Sequence, residues 1–236
     1  MKILVIGGMH GNEPLGLEVV KLFQDKPVRN VDSVLANSQA ITANSRFIRE
    51  DLNRSFPGDS KSKVFEQKRA AELLELAKKY DIVLDFHNTH CPDNNCGFIG
   101  EAADDLLYSV ANGLELKRVI IADYDCINKY AVNCLSVEIS LNSPQNNAKV
   151  WYQLIEKLAP QDNLKKVDNL EKYRFVYRVT NQDKDKFMLS RQNWRAFEPI
   201  DNYMANELGV KTPAYPIFIG DDYTPYYYAG LLNRID

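Results

Sequence analysis

Only three histidines occur in the 236 residues of this chain, and two of them stand where metal chemistry would need them. His10 lies in Gly7-Gly8-Met9-His10-Gly11-Asn12-Glu13, directly after the apolar run Ile3-Leu4-Val5-Ile6. His87 closes a second such run, Ile82-Val83-Leu84 followed by Phe86. An imidazole and a carboxylate at i, i+3, as in His10 and Glu13, can turn onto one side of a tight bend or first helical turn. A third ligand from a neighbouring strand end completes a two-histidine, one-carboxylate zinc site with one position left for water. That is the open arrangement of a catalytic centre, since a structural zinc takes four protein ligands. Zinc held this way lowers the pKa of its water towards ~7 and polarises a carbonyl.

Such a site still needs a carboxylate to take the proton of the water and deliver it to a leaving amine. Glu138 is the natural candidate, a charged residue between Val137 and Ile139 in an otherwise apolar run. Period two puts Asp85 on the same side of its strand as His87, where it can accept a hydrogen bond from the imidazole and hold its tautomer. Arg46, Asn53 and Arg54 fall in one polar run, Asn44 to Gly58. They offer planar donors suited to a substrate carboxylate or a developing oxyanion. The third histidine, His90, reads as a loop residue and not as a ligand.

The elements that must position these groups alternate in type. Residues 2–7 read as a buried strand closed by Gly7-Gly8, and a helix follows from Pro14, with Leu15, Val19, Leu22 and Phe23 as its apolar stripe. Residues 31–36 form a weak strand, 63–80 the clearest helix, 82–86 a buried strand, 106–116 a helix and 118–122 a strand. Leu135, Val137 and Ile139 alternate with Ser136, Glu138 and Ser140, the period of a strand. Val150, Trp151, Leu154, Ile155 and Leu158 mark another helix. Alternation of this kind predicts an α/β layer structure with a parallel or mixed sheet, and such sheets bind ligands at the carboxyl ends of their strands. After about residue 160 the character changes. Tyr173, Phe175 and Tyr177 alternate with Arg174, Val176 and Arg178 as a strand, and an aromatic, turn-rich tail follows. The expected organisation is a hydrolase domain over 1–160 and a small β-rich domain over 161–236 that contributes to the pocket.

Composition is that of an ordinary globular protein: 45% hydrophobic and 26% charged residues, with a net charge of −3. No basic stripe invites nucleic acid and no apolar run approaches a membrane span. The apolar run at the N-terminus is too short for a signal peptide. Cys91, Cys96, Cys126 and Cys134 lack zinc-finger spacing, so the expectation is reduced thiols in a cytoplasmic enzyme, with a local Cys91–Cys96 disulfide as the alternative.

The chain resembles the succinylglutamate desuccinylase/aspartoacylase family of zinc amidohydrolases, relatives of the zinc carboxypeptidases. The matching stretches are Gly7 to Glu13, Arg46 to Arg54, Asp85-Phe86-His87-Asn88-Thr89, Ser136-Val137-Glu138-Ile139, and Tyr215-Pro216-Ile217-Phe218 with Tyr226-Tyr227. All occur in the family's order, and the first three are the more specific. The resemblance implies a three-layer α/β/α zinc-carboxypeptidase-like domain with a mixed sheet and a small C-terminal β-rich domain. It also implies one zinc per chain on His10, Glu13 and His87, with Glu138 activating the water. Asn53 and Arg54 would grip the substrate carboxylate and Arg46 polarise the scissile carbonyl. A tail tyrosine would close the pocket; of Tyr223, Tyr226 and Tyr227, Tyr226 fits best because a second tyrosine follows it.

Two departures stand out. Met9 replaces a small polar residue beside the metal. The segment before Glu138 also lacks the arginine with which aspartoacylases read the aspartate side chain, so poor discrimination for a second carboxylate is expected. The reading is therefore a zinc-dependent hydrolase acting on a small N-acyl amino acid, with no nucleic acid or membrane partner and with a homodimer allowed. The alternatives are carboxypeptidase-like cleavage of a short peptide and a non-catalytic, metal-dependent sensor of a small amino-acid derivative.

Overall fold

The structure is a computed structural model, and it describes residues 1–161, 164, 169–221 and 226–235. Strands are β1 (Ile3–Gly7), β2 (Val31–Leu35), β3 (Ile82–Thr89), β4 (Cys96–Ile99), β5 (Arg118–Ile121), β6 (Cys134–Ser140), β7 (Glu171–Val179), β8 (Ala214–Ile217) and β9 (Ala229–Ile235). Helices are α1 (Pro14–Asp25), α2 (Ser38–Thr42), α3 (Phe65–Ala77), α4 (Leu106–Gly113), α5 (Ile127–Tyr130), α6 (Ala148–Leu158), α7 (Asn181–Lys186) and α8 (Asn202–Glu207). All nine strands join one mixed sheet in the order β2-β1-β3-β6-β4-β5-β7-β9-β8.

The central strands are apolar on both faces because helices cover both. Ile3 and Val5 of β1, Leu84 and Phe86 of β3, and Leu135, Val137 and Ile139 of β6 face α1, α4 and α6. Leu4 and Ile6 of β1, Val83 of β3 and Cys134 of β6 face the other way, onto α3 and Ile127 of α5. This is the α/β/α layering, and fully covered strands of this kind read as continuous apolar runs. On the α3 side, period two continues Val83 into Asp85 and His87, and Cys134 into Ser136 and Glu138. The polar residues therefore collect on one face at the carboxyl ends of β3 and β6.

Three elements differ from the sequence reading for identifiable reasons. The third strand runs to Thr89 and not to Phe86, because His87, Asn88 and Thr89 continue the ladder with β6. The strand β4, antiparallel to β6, is short and contains Gly97, so it carries little periodic signal. In β7 the register against β9 shifts between Phe175 and Tyr177. That bulge breaks the expected alternation and turns Arg178 away from the face of Arg174. After residue 160 the strands extend the same sheet, and one hydrophobic cluster, including Val179, Leu189, Ala205 and Leu231, is drawn entirely from this part of the chain. The four cysteines are buried and free, which corrects the Cys91–Cys96 disulfide alternative. Among the described residues, no helix is long and apolar enough to cross a membrane.

Candidate active site and metal centre

Close backbone packing puts His10 and Glu13 in place. Gly8 adopts φ +70° at the turn out of β1, a region open to glycine at little cost. Gly7 lies so near Gly16 of α1 that a methyl group on either would collide with the other's backbone. Helix α1 thus crosses the end of β1 tightly, and His10 and Glu13, each 3% exposed, point into the cleft above β3. Glu13 is the N-cap residue of α1 yet makes no side-chain cap. Asn88 of β3 supplies one instead, its Oδ1 accepting from Leu15 N at 2.9 Å while its Nδ2 donates to Ile139 O at 3.0 Å. The Glu13 carboxylate is thereby released from capping and turns to the imidazoles, with the Asn88 backbone N–H also donating to its Oε2 at 3.2 Å.

Glu13 Oε1 lies 2.6 Å from His10 Nδ1, and Oε2 lies 2.9 Å from His87 Nδ1. The far nitrogen of each ring meets a different carboxylate: His10 Nε2 is 3.1 Å from Asp51 Oδ1, and His87 Nε2 is 2.8 Å from Asp85 Oδ2. Such partners fix a ring's orientation and tautomer and leave the other nitrogen for a metal. One ligand atom each from His10, Glu13 and His87 lies within 4.8 Å of the others, and all three residues are buried. A buried, convergent N/O/N donor set fits a divalent metal ion. His90 is exposed and outside this group.

The electrostatics follow from the contacts. Burial opposes charge on Glu13, but the charges and hydrogen bonds of His10 and His87 outweigh it and hold its carboxyl well below the usual range. Burial likewise opposes charge on His87, yet Asp85 and Glu13 push its pKa well above the ordinary imidazole value. Glu138 moves in the opposite sense for a carboxyl. Burial, with Glu13 and Asp221 nearby, raises it well above the usual range against the pull of His87 and Arg46.

Glu138 and His87 are directly paired in the parallel β3–β6 register, so their side chains rise side by side from one face. Glu138 is half-buried and makes no hydrogen bond or ion pair among the described residues. Asp85 is fully buried and also receives the Ser136 hydroxyl at 3.4 Å.

Asp51 organises the arginine run. It N-caps the short 3-10 turn Leu52–Arg54 through Asn53 N at 2.9 Å. Its Oδ2 receives Arg46 Nη2 at 3.1 Å, Arg46 Nε at 3.2 Å and the Tyr226 hydroxyl at 3.0 Å. Burial pushes the Asp51 carboxyl up, but His10, then Arg46 and Arg54, hold it far below the usual range. Arg46 Nη1 also stands 3.6 Å from Glu13 Oε1. From α3, Glu66 Oε1 accepts Ile48 N at 3.3 Å and Arg49 N at 3.1 Å, anchoring the same loop. Arg54 and Tyr226 border a pocket of ≈470 Å³. Asn53 does not border it, and its side-chain oxygen is buried without a hydrogen-bond partner. Tyr223 lies outside the described residues, and Tyr227 borders the same pocket while packing edge-on against Phe175.

Asp51, Asn88 and Glu66 have no role assigned from the sequence. For Asp51 the signal is an acid set among Arg46, Arg49 and Arg54, which need orienting. Asp51→Asn keeps the shape but removes the charge behind His10, and metal affinity is expected to fall ~10–100-fold, the usual cost of losing an outer partner. Competition with a chromophoric chelator measures this.

Residues 1–126 match the catalytic-domain model of the succinylglutamate desuccinylase/aspartoacylase family. This protein belongs to that family. Among curated relatives, the protein named "Probable aspartoacylase" from Trichodesmium erythraeum is 35% identical over 103 residues, covering 37% of this chain and 35% of that one. The N-acyl-aromatic-L-amino acid amidohydrolase (carboxylate-forming) of Xenopus tropicalis is 32% identical over 136 residues, covering 50% and 43%. The chain thus spans less than half the length of these relatives where it matches them. The fold is shared with the succinylglutamate desuccinylase of Chromobacterium violaceum, at TM-score 0.73 and 16% identity over 100% of this chain and 85% of that one. Murine aminoacylase 3 gives TM-score 0.70 at 20% identity, covering 100% and 95%.

Proposed function

We propose that this protein is a zinc-dependent amidohydrolase that cleaves the amide bond of N-acyl amino acids. The observation that carries this reading is Glu138, a half-buried carboxyl without a hydrogen-bond partner, paired in register with His87 of the His10–Glu13–His87 group. Support also comes from the relatives named for aspartoacylase and N-acyl-amino-acid amidohydrolase activities. Zinc is the metal that suits two imidazoles and one carboxylate with a position left open, and when bound it supplies a Lewis acid for the scissile carbonyl and the attacking water.

The residues of the chain do the rest. Glu138 takes the proton of the attacking water on its carboxylate and passes it to the nitrogen of the leaving amine. A carboxyl whose proton affinity is raised by burial is suited to holding that proton between the two steps. Arg46, fixed by Asp51, donates to the carbonyl oxygen as negative charge develops there. Arg54 receives the α-carboxylate, and Tyr226 covers the pocket from the C-terminal unit of residues 161–236.

These roles separate kinetically. Arg54→Ala should chiefly raise KM, because its contact exists in ground and transition states alike. Arg46→Ala should chiefly lower kcat, by ~10²–10³-fold, the usual cost of one oxyanion donor. Methyl-esterifying the substrate α-carboxylate should add little to the Arg54→Ala defect; an undiminished ester penalty would place the carboxylate elsewhere. The activity itself is tested by assaying zinc-reconstituted protein on N-acetyl, N-succinyl and N-formyl amino acids and on short peptides. Turnover of peptides alone, or of nothing, would refute the proposal.

A further inference from the structure

Glu66 is a carboxylate placed where the fold calls for an apolar side chain. The buried residues of α3 are Glu66, Ala70, Leu73 and Ala77, one stripe at helical spacing. Ala70, Leu73 and Ala77 pack against Leu4, Ile6 and Val83 of the sheet, and Glu66 extends the stripe by a turn with no exposure. Among the described residues it forms no ion pair, and its Oε2 is buried without a hydrogen-bond partner. Burying a carboxylate on such terms weighs against folding. Its place in the first turn of α3, whose N-cap Val64 supplies no side-chain cap, softens that penalty, since the amino end of a helix favours negative charge.

The other oxygen, Oε1, accepts Ile48 N at 3.3 Å and Arg49 N at 3.1 Å. These amides are the middle of an arc, Arg46 to Asp51, whose ends are joined by the bonds of Arg46 Nε and Nη2 to Asp51 Oδ2. The arc contains no helix or strand, and Phe47 to Glu50 take part in no backbone–backbone hydrogen bond among the described residues. Ile48 is 45% exposed, so little apolar packing holds the arc at this point. The neighbouring tie from α3, Gln67 Nε2 to Glu50 Oε2 at 2.6 Å, is exposed to water. The two-amide contact at Glu66 is therefore the firm point between the core and the segment that carries Arg46.

A donor acts on a developing oxyanion best when its direction is set beforehand. We propose that Glu66 is a positioning residue: it fixes the arc from beneath so that Arg46 is aimed at the carbonyl oxygen before the substrate arrives. The proposal rests on the deacylase reading for the role of Arg46.

Glu66→Leu fills the stripe with an apolar side chain and releases both amides. It should lower kcat by ~10–10²-fold, since misplacing a group by about 1 Å can cost that much, with KM and zinc content near wild type. Glu66→Gln keeps an acceptor for both amides and gives up only the unpartnered oxygen, so it should restore most of the rate. In an Arg46→Ala background Glu66→Leu should cost little more, because its effect passes through Arg46. Should Glu66→Leu fail to fold, Glu66→Asp, which withdraws the carboxylate by one methylene, takes its place in the same comparisons.

Nitrogen-15 NMR of the arginine Nε–H groups of zinc-loaded protein gives a readout independent of turnover. The resonance missing from Arg46→Ala identifies Arg46; it should move or broaden in Glu66→Leu and return in Glu66→Gln. With hydrolysis present, an unchanged Arg46 resonance, a wild-type kcat in Glu66→Leu, or an undiminished cost in the Arg46→Ala background overturns the positioning role and leaves the deacylase reading intact. A displaced resonance in a protein that hydrolyses no N-acyl amino acid supports the positioning of Arg46 and refutes the deacylase. An unchanged resonance without hydrolysis removes both.

Discussion

Glu138→Gln is expected to lower kcat by ~10²–10⁴-fold, the range that positioned general acid–base groups contribute, while bound metal stays at the wild-type level. Glutamine fills the same volume on β6 but cannot accept the proton of the attacking water at neutral pH. The fold should tolerate the change well. Burial and the nearby Glu13 and Asp221 push the Glu138 carboxyl above its usual range, so its charge is a burden on the folded state, and the neutral amide relieves it. Thermal unfolding should therefore occur at the wild-type temperature or slightly above. This pairing of lost turnover with undiminished stability marks a functional group held at the fold's expense. A Glu138→Gln enzyme with near wild-type kcat would show that another group moves the proton.

The second large effect is on the metal. Wild type should hold one zinc per chain by elemental analysis, and His87→Ala should lose it, with Kd rising by more than the ~10²-fold upper cost of removing an outer partner. Tight, equal zinc in both proteins would end the ligand assignment. The pH dependence has a definite sign. With no metal bound, the pKa of His87 is raised above its ordinary 6.5 by Asp85 and Glu13, against burial. The protonated ring therefore stabilises the metal-free protein fully below pH 6.5, and that stability is lost as pH rises through the raised value. Zinc must displace this proton, so its affinity and the stabilisation it confers should both grow with pH. Calorimetry of chelated and zinc-loaded protein at pH 6 and pH 8 tests this; a constant difference in Tm would contradict the protonation assigned to His87.

Much of the site was legible because its signals are local. His10 and Glu13 are three residues apart, Asp85 and His87 two apart, and each pair follows an apolar run that can only be a covered strand. Chain geometry brings the members of such pairs together whatever the rest of the fold does. Glu138 was legible for a related reason: a single acid on a period-two strand stands out against Leu135, Val137 and Ile139. The supporting residues were harder to see. Asp51 meets His10 across 41 residues and Tyr226 across 175, and Glu66 reaches the arginine loop from a helix surface that looks like any solvated one. Asn88 could be quoted as part of a motif, but its task of capping α1 in place of Glu13 depends on where that helix starts in space.

By itself, then, the sequence determined the donor types, the two strand ends that carry His10 and His87, and the layered α/β architecture, since all are written in spacing and periodicity. Tertiary structure alone decided the register that sets Glu138 opposite His87, because strand pairing is a long-range choice between segments about fifty residues apart. It alone decided the destination of Arg178. Period two assigns that side chain to the outer face with Arg174, and one extra residue in the pairing with β9 reverses the assignment, because each residue of slip exchanges the two faces of a strand.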